Sequence, residues 1–202
     1  DLGVSSMQFD RPERGFSYKG VGPLDMRMNP LEGETAADLI ARSSEGELAQ
    51  LLHENADEPR AHLIARVLKQ HSCDTTHATE RAIRVALHSS DPALSKSDVK
   101  MSTRRTFQAL RIAVNKEFAA LDSLLAALPR CLAPGGRVAI ITFHSGEDRR
   151  VKKAFQAGRR SGVYVAIADG VIRSQKAETF SNRRASAAKL RWAERAPNDR
   201  HT

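Results

Sequence analysis

A chain of 202 residues with 41% hydrophobic and 28% charged residues has the balance of a globular protein, which excludes a disordered chain or a fibrous repeat and leaves room for one ordinary domain with a small insertion. No apolar run approaches the roughly 18 residues of a membrane span, and the first twenty positions carry charges where a secretory leader needs an apolar core. Cys73 and Cys131 lie far apart and supply no disulfide framework, so a reducing, cytoplasmic setting is expected. The net charge of +8 is unevenly spread: residues 149–202 hold 14 Lys and Arg against 4 Asp and Glu, whereas residues 1–148 hold 18 against 20. A basic third of this kind attracts polyanions with salt-dependent affinity and points to RNA or DNA. Aromatic residues at 5% are too few for a platform that stacks several bases.

Residues 1–33 are punctuated by Gly15, Gly20, Gly22, Pro23, Pro30 and Gly33, which predicts a long ordered loop of functional character. The opening Asp1-Leu2-Gly3-Val4-Ser5-Ser6 reads as a loop that follows a strand. From Thr35 to about Leu94 the apolar spacing predicts four short helices that pack as a helical subdomain. Ser44 and Glu47 form a capping box, Pro59 falls in a first turn, and the Asp74–Thr76 stretch supplies caps. Residues 104–128, with Phe107, Leu110, Val114, Phe118, Leu121, Leu125 and Leu128 at steps of 3 and 4, predict one long helix that Pro129 ends. After the turn Pro134-Gly135-Gly136, the run Val138–Phe143 reads as a parallel strand buried on both faces. A basic helix follows from about Glu147 to Gln156 with Val151, Ala154 and Phe155 inward. Tyr164–Ile172 and Ala187–Ala193 have strand character and suit antiparallel pairing at a sheet edge.

In an open α/β sheet, ligands bind beyond the carboxyl ends of the strands. Two segments qualify: residues 1–8, with Asp1, Ser5, Ser6 and Gln8, and residues 143–148, with His144, Ser145, Glu147 and Asp148. The second admits two readings, ligand contact or simple capping of the basic helix by Ser145 with Glu147 and Asp148 on its dipole. No nucleophile, His and Asp are spaced as in a hydrolase, and the seven His and two Cys show no zinc spacing, so no metal is expected. His62, His71 and His77 read as helix-surface residues. Gly-x-Gly-x-x-Gly and P-loop patterns are both missing from these 202 residues.

Long motifs carry a resemblance. Asp1-Leu2-Gly3-Val4-Ser5-Ser6-Met7-Gln8, Glu13-Arg14-Gly15-Phe16-Ser17 and Gly22-Pro23-Leu24-Asp25-Met26-Arg27-Met28 are joined by the run Arg105–Asn115, by Leu132–Arg137, and by Phe143-His144-Ser145 with Glu147-Asp148-Arg149. Asn182-Arg183-Arg184-Ala185 and Ala188-Lys189-Leu190-Arg191 close the set. Over nearly the whole chain the sequence resembles the RsmH (MraW) family, S-adenosylmethionine-dependent methyltransferases that modify the exocyclic N4 amine of a cytidine in small-subunit ribosomal RNA.

The resemblance implies a Rossmann-like class I methyltransferase sheet, here its C-terminal portion, with an inserted helical subdomain. Residues 1–33 would be the catalytic-side loop, 34–103 the helical insertion that recognises RNA, and 104–202 the C-terminal half of the methyltransferase domain. It further implies that the Gly-rich cofactor loop and first strands belong to a stretch ahead of Asp1. Asp1 and Gln8 match positions that contact S-adenosylmethionine. Asp1 is also the candidate catalytic acceptor for an amine hydrogen, and Asp25, Arg27, His144 and Ser145 are candidate substrate contacts. For Asp25 and Arg27 a loop-ordering ion pair is the alternative, and for His144 a satisfied strand-end residue. Gly146 stands where the family commonly has Leu, which should loosen the helix start and remove an apolar contact. The partner implied is small-subunit ribosomal RNA or the small ribosomal subunit, and the competing reading is a non-catalytic RNA-binding module or inactive remnant.

Overall fold

The local rules of capping and spacing set most elements of the computed structural model, which describes residues 2–197. Contacts divide the chain into two units, residues 4–117 and residues 1–3 with 118–202.

The first unit opens with a single turn, α1 (Ser6–Phe9), capped reciprocally by Ser5 and Gln8, then a 3-10 turn at Pro12–Arg14 and a loop that reaches Thr35. The loop is ordered from inside: Leu24 and Met26 are fully buried, and Leu24 exchanges backbone bonds with Asp74 and Ala37. The four helices expected between residues 35 and 94 are α2 (Ala36–Arg42), α3 (Glu45–Ala56), α4 (Ala61–Gln70) and α5 (Thr76–Ser90). Capping boxes start α2 at Thr35/Asp38 and α3 at Ser44/Glu47, and Thr75 caps α5. Pro59 lies ahead of α4 rather than in its first turn, because Arg60 is the N-cap. The following helix, α6 (Lys96–Val114), packs with α3 around Leu48, Leu52, Ile64, Leu68, Ile83, Leu87 and Leu110. Glu58 is buried there; its Oε1 accepts from the Arg60 N–H at 3.0 Å and from Ser102 Oγ at 2.9 Å.

The expected long helix over 104–128 is two helices, α6 and α7 (Glu117–Cys131). The break is at Asn115-Lys116, where Lys116 adopts a left-handed φ of 50°. Asn115 is pulled out of the helical pattern by its own side chain: Nδ2 donates to Met26 O at 2.8 Å and Arg111 O at 2.9 Å, and Oδ1 accepts from the Met28 N–H at 2.7 Å. Pro129 does not end α7, which runs on to Cys131 with Leu132 N bonded to Leu128 O. A proline this near the C-terminal end forfeits its own backbone bond, while the chain beyond it keeps helical bonding, as at Leu132.

The second unit continues with β1 (Arg137–Thr142), α8 (Ser145–Arg160), β2 (Tyr164–Ile167), β3 (Ile172–Arg173), α9 (Lys176–Ser181), a 3-10 turn at Arg183–Ala187 and β4 (Lys189–Arg195). β4 pairs antiparallel with β1, β2 and β3, in the order β1-β4-β2. The antiparallel pairing expected between the last two strand segments is therefore present, but β4 sits inside the sheet rather than at its edge. β1 pairs only antiparallel among the described residues. It is also buried on one face only, with Ile140 and Thr142 inward and Arg137, Ala139 and Ile141 exposed. Its apolar run looks two-sided in sequence because small and β-branched residues fill both faces. The register places Ala193, Arg191 and Lys189 opposite Val138, Ile140 and Thr142, and Arg191 pairs with Asp148 of α8, so this is the face α8 covers. Val151 and Phe155 of α8 join Leu121, Leu125 and Leu128 of α7, Ile140, Tyr164 and Ala193 in the core. Among the described residues no helix is long and apolar enough to cross a membrane.

Candidate functional site

The candidate residues fall in both units. Asp1 lies outside the described residues. Gln8 ends its capping duty at α1, where Oε1 accepts from Ser5 N at 3.0 Å, while Nε2 makes a long 3.5 Å contact with Met28 O. No α1 side chain is buried, and Met7 and Phe9 are exposed beside the amide.

The loop holding Asp25 and Arg27 is tied down by its own charges. Asp25 Oδ1 accepts from the Arg27 N–H at 3.0 Å and from Nε at 2.8 Å, and Oδ2 accepts from Nη2 at 2.8 Å. These bonds hold the Asp25 carboxyl below the usual carboxylate range despite partial burial. The pair thus orders the loop. Arg14, which the motifs contain but sequence reasoning gave no role, donates through Nη2 to Arg27 O at 2.7 Å and Met28 O at 3.0 Å. Together with Asn115 it fixes the main chain of residues 26–28 from two sides. A lone Asn after a helical run was the available signal for that clamp.

At the carboxyl end of β1, His144 is the N-cap residue of α8 and makes no side-chain capping bond. Ser145 is the first helical residue and exposed, so it is not the cap. Glu147 takes over: buried, it turns its Oε2 back to accept from the Phe143 N–H at 2.9 Å. Its Oε1 lies 3.4 Å from His144 Nε2. Both His144 ring nitrogens are buried without a hydrogen-bond partner among the described residues, so His144 is not a satisfied strand-end residue. Its ring leans on Phe118 at 5.9 Å between centroids, and the Arg150 guanidinium lies 4.1 Å from the Phe118 centroid on its way to Asp122. The apolar contact expected to be missing at Gly146 is supplied by Phe118, since a Cβ there would meet its Cζ at 2.6 Å.

Asp148 pairs with Arg191 through Oδ1 at 2.7 Å and Oδ2 at 3.2 Å, with Lys189 Nζ 4.0 Å away. Burial works to raise its pKa, but the Arg191 bonds and the nearby Lys189 and Lys152 charges outweigh it and hold the carboxyl low. Asp148 is thereby committed to the α8–β4 contact. His62, His71 and His77 are exposed, as expected.

This arrangement of a clamped Gly-Pro loop and a His-Glu helix start lies within a match to the family model described as the MraW methylase family, which covers residues 1–196. The chain belongs to the MraW methylase family. It is 50% identical over 201 residues to ribosomal RNA small subunit methyltransferase H 2 of Alkaliphilus metalliredigens, covering 97% of this chain and 58% of that protein. It is 47% identical to ribosomal RNA small subunit methyltransferase H 1 of Lachnoclostridium phytofermentans, covering 97% and 55%, and 43% identical to ribosomal RNA small subunit methyltransferase H of Acidobacterium capsulatum, covering 96% and 64%. The chain thus spans somewhat over half the length of the relatives it matches. A methyltransferase of this family is an enzyme that needs a methyl donor.

Proposed function

We propose that this MraW-family chain serves the methylation, from S-adenosylmethionine, of the exocyclic N4 amine of a cytidine in small-subunit ribosomal RNA, in the cytoplasm. The family match over residues 1–196 carries this reading. In it, residues 1–33 are the catalytic-side loop, residues 34–103 the RNA-recognising insertion and residues 104–202 the C-terminal half of a Rossmann-like methyltransferase domain.

S-adenosylmethionine, when bound, supplies a methyl group on a sulfonium sulfur. Asp1 and Gln8 are the residues of this chain that would hold it. The cytidine amine is conjugated and weakly nucleophilic. Asp1 would accept a hydrogen bond from this amine, orienting it and stabilising the positive charge that develops on nitrogen. The His144 ring, buried at the start of α8 with Glu147 Oε1 3.4 Å from Nε2, would have to turn outward to meet the base, and Ser145 offers an exposed hydroxyl. Asp25 and Arg27 act by ordering the loop and present their outer edge to the RNA. The base must reach these groups unstacked.

Deleting the gene and analysing small-subunit ribosomal RNA nucleosides by mass spectrometry tests the reading. Loss of N4-methylcytidine, restored by the gene and not by a His144→Ala copy, is the expected result. Unchanged modification overturns it.

A further inference from the structure

The outward side of α8 is a single cationic stripe. Lys152, Lys153, Gln156, Arg159 and Arg160 fall at relative positions 0, 1, 4, 7 and 8 of the helix, which stacks them along one face. All five are exposed. Between Arg149 and Arg160 the helix carries no acidic residue, and its two carboxylates, Glu147 and Asp148, are confined to the first turn. Asp148 is neutralised by Arg191. Arg150 differs from the stripe, since Asp122 holds it at 2.7 Å. The four stripe cations have no carboxylate partner within ion-pair distance among the described residues, apart from the Coulombic influence of Lys152 on Asp148.

The other side of α8 is consumed by the fold. Val151 and Phe155 are in the core and Glu147 is buried against the β1 end, so α8 has no apolar face left to enter a lipid surface. Its charged face is what it presents. At about 1.5 Å per residue the stripe from Lys152 to Arg160 runs roughly 12 Å, and the unstacked base that the reading above requires belongs to a single strand. A cleft of about 190 Å³ opens along its flank, lined by Lys152, Gln156, Ile167, Asp169 and Arg191. Asp169 is the one acidic residue in that lining, against Lys152 and Arg191.

We infer that the exposed face of α8 is a phosphate rail for single-stranded RNA, with Lys152, Lys153, Arg159 and Arg160 each meeting a backbone phosphate. The inference rests on the ribosomal RNA reading above and adds to it the face on which the strand lies. Each such contact releases counterions and contributes about 0.7 to the slope of log affinity against log salt for a single strand.

The test uses the full 202-residue chain and a fluorescein-labelled single-stranded fragment of small-subunit ribosomal RNA, followed by anisotropy over a salt series. Lys152→Gln, Lys153→Gln, Arg159→Gln and Arg160→Gln made together should flatten the slope by about 3. A control in the same unit, Arg130→Gln, Arg137→Gln, Arg173→Gln and Lys176→Gln, removes the same charge from other exposed positions and should flatten it by less than half as much. RNA binding with equal loss of slope in both variants overturns the rail and leaves the ribosomal RNA reading standing. Absence of RNA binding by the unsubstituted chain overturns both. Unchanged circular dichroism in each variant confirms that charge, not folding, was altered.

Discussion

Gly146→Ala tests whether the start of α8 is shaped by Phe118. A Cβ at Gly146 would lie 2.6 Å from Phe118 Cζ, 3.3 Å from its Cε1 and 3.3 Å from His144 Nδ1. Carbon pairs settle at about 3.5–4.0 Å, so the ring would have to withdraw by roughly 1 Å. It is held against withdrawal by the Arg150 guanidinium 4.1 Å from its centroid, itself anchored to Asp122. Overpacking of this kind costs about 1–3 kcal/mol, while replacing a helical glycine by alanine returns about 0.5–1 kcal/mol of backbone entropy. The net expectation is a loss of about 1 kcal/mol. Trp192 is the protein's single tryptophan and lies in β4 of the same unit, so its fluorescence follows this unit's unfolding. For a unit of under 100 residues the midpoint should fall by about 4–8 °C. Phe118→Leu alone should also destabilise, through lost contacts, but the double variant should be more stable than the sum of the singles by about 1 kcal/mol. A rise in midpoint for Gly146→Ala, with no coupling to position 118, would refute the reasoning.

Other substitutions probe the remaining contacts. Asn115→Ala removes three hydrogen bonds to Met26, Met28 and Arg111, and at about 0.5–1.5 kcal/mol each the loss should be about 2–4 kcal/mol, with faster proteolysis of the 26–33 loop. Gly22→Ala would place a Cβ 1.9 Å from Pro12 O, a backbone atom that cannot swing aside; a loss of about 3 kcal/mol is expected in denaturant melts. Asp148 has a depressed carboxyl pKa in the fold, so its contribution is present above the unfolded value near 4 and disappears as pH falls through the folded value. Asp148→Asn should therefore be less stable than the parent at pH 7, with the gap closing as the pH drops below about 4.

What the sequence disclosed was whatever a few neighbouring residues decide. Ser44 and Glu47 sit three apart and cap each other, so the start of α3 was legible, as were the four helices that bury Leu48, Ile64 and Ile83. The break at Asn115-Lys116 was not legible, because it depends on carbonyl and amide groups of Met26 and Met28 that only the fold brings near. Ser145 looks like a cap by composition, yet it is the first helical residue, Glu147 reaches back to Phe143, and α8 starts two residues ahead of the expected Glu147. The Gly146 seat for Phe118 joins positions 28 apart in the chain, beyond any local pattern. Asp25 and Arg27 were legible both as a pair and as candidate contacts, and the geometry shows the pairing in full.

The Asn115 clamp has a kinetic meaning. It joins residues 87 and 89 positions apart, and closing a loop of that length costs about 4 kcal/mol of chain entropy, more than its two cross-chain hydrogen bonds return at about 1 kcal/mol each. The clamp cannot nucleate anything. It closes once the helices have brought both ends together, and because Leu24 and Met26 lie in the same core as those helices, the loop of residues 22–28 is expected to open together with that core. Its order is a readout of the core's integrity, and amide exchange at Met28 should report the stability of helices far from it in sequence.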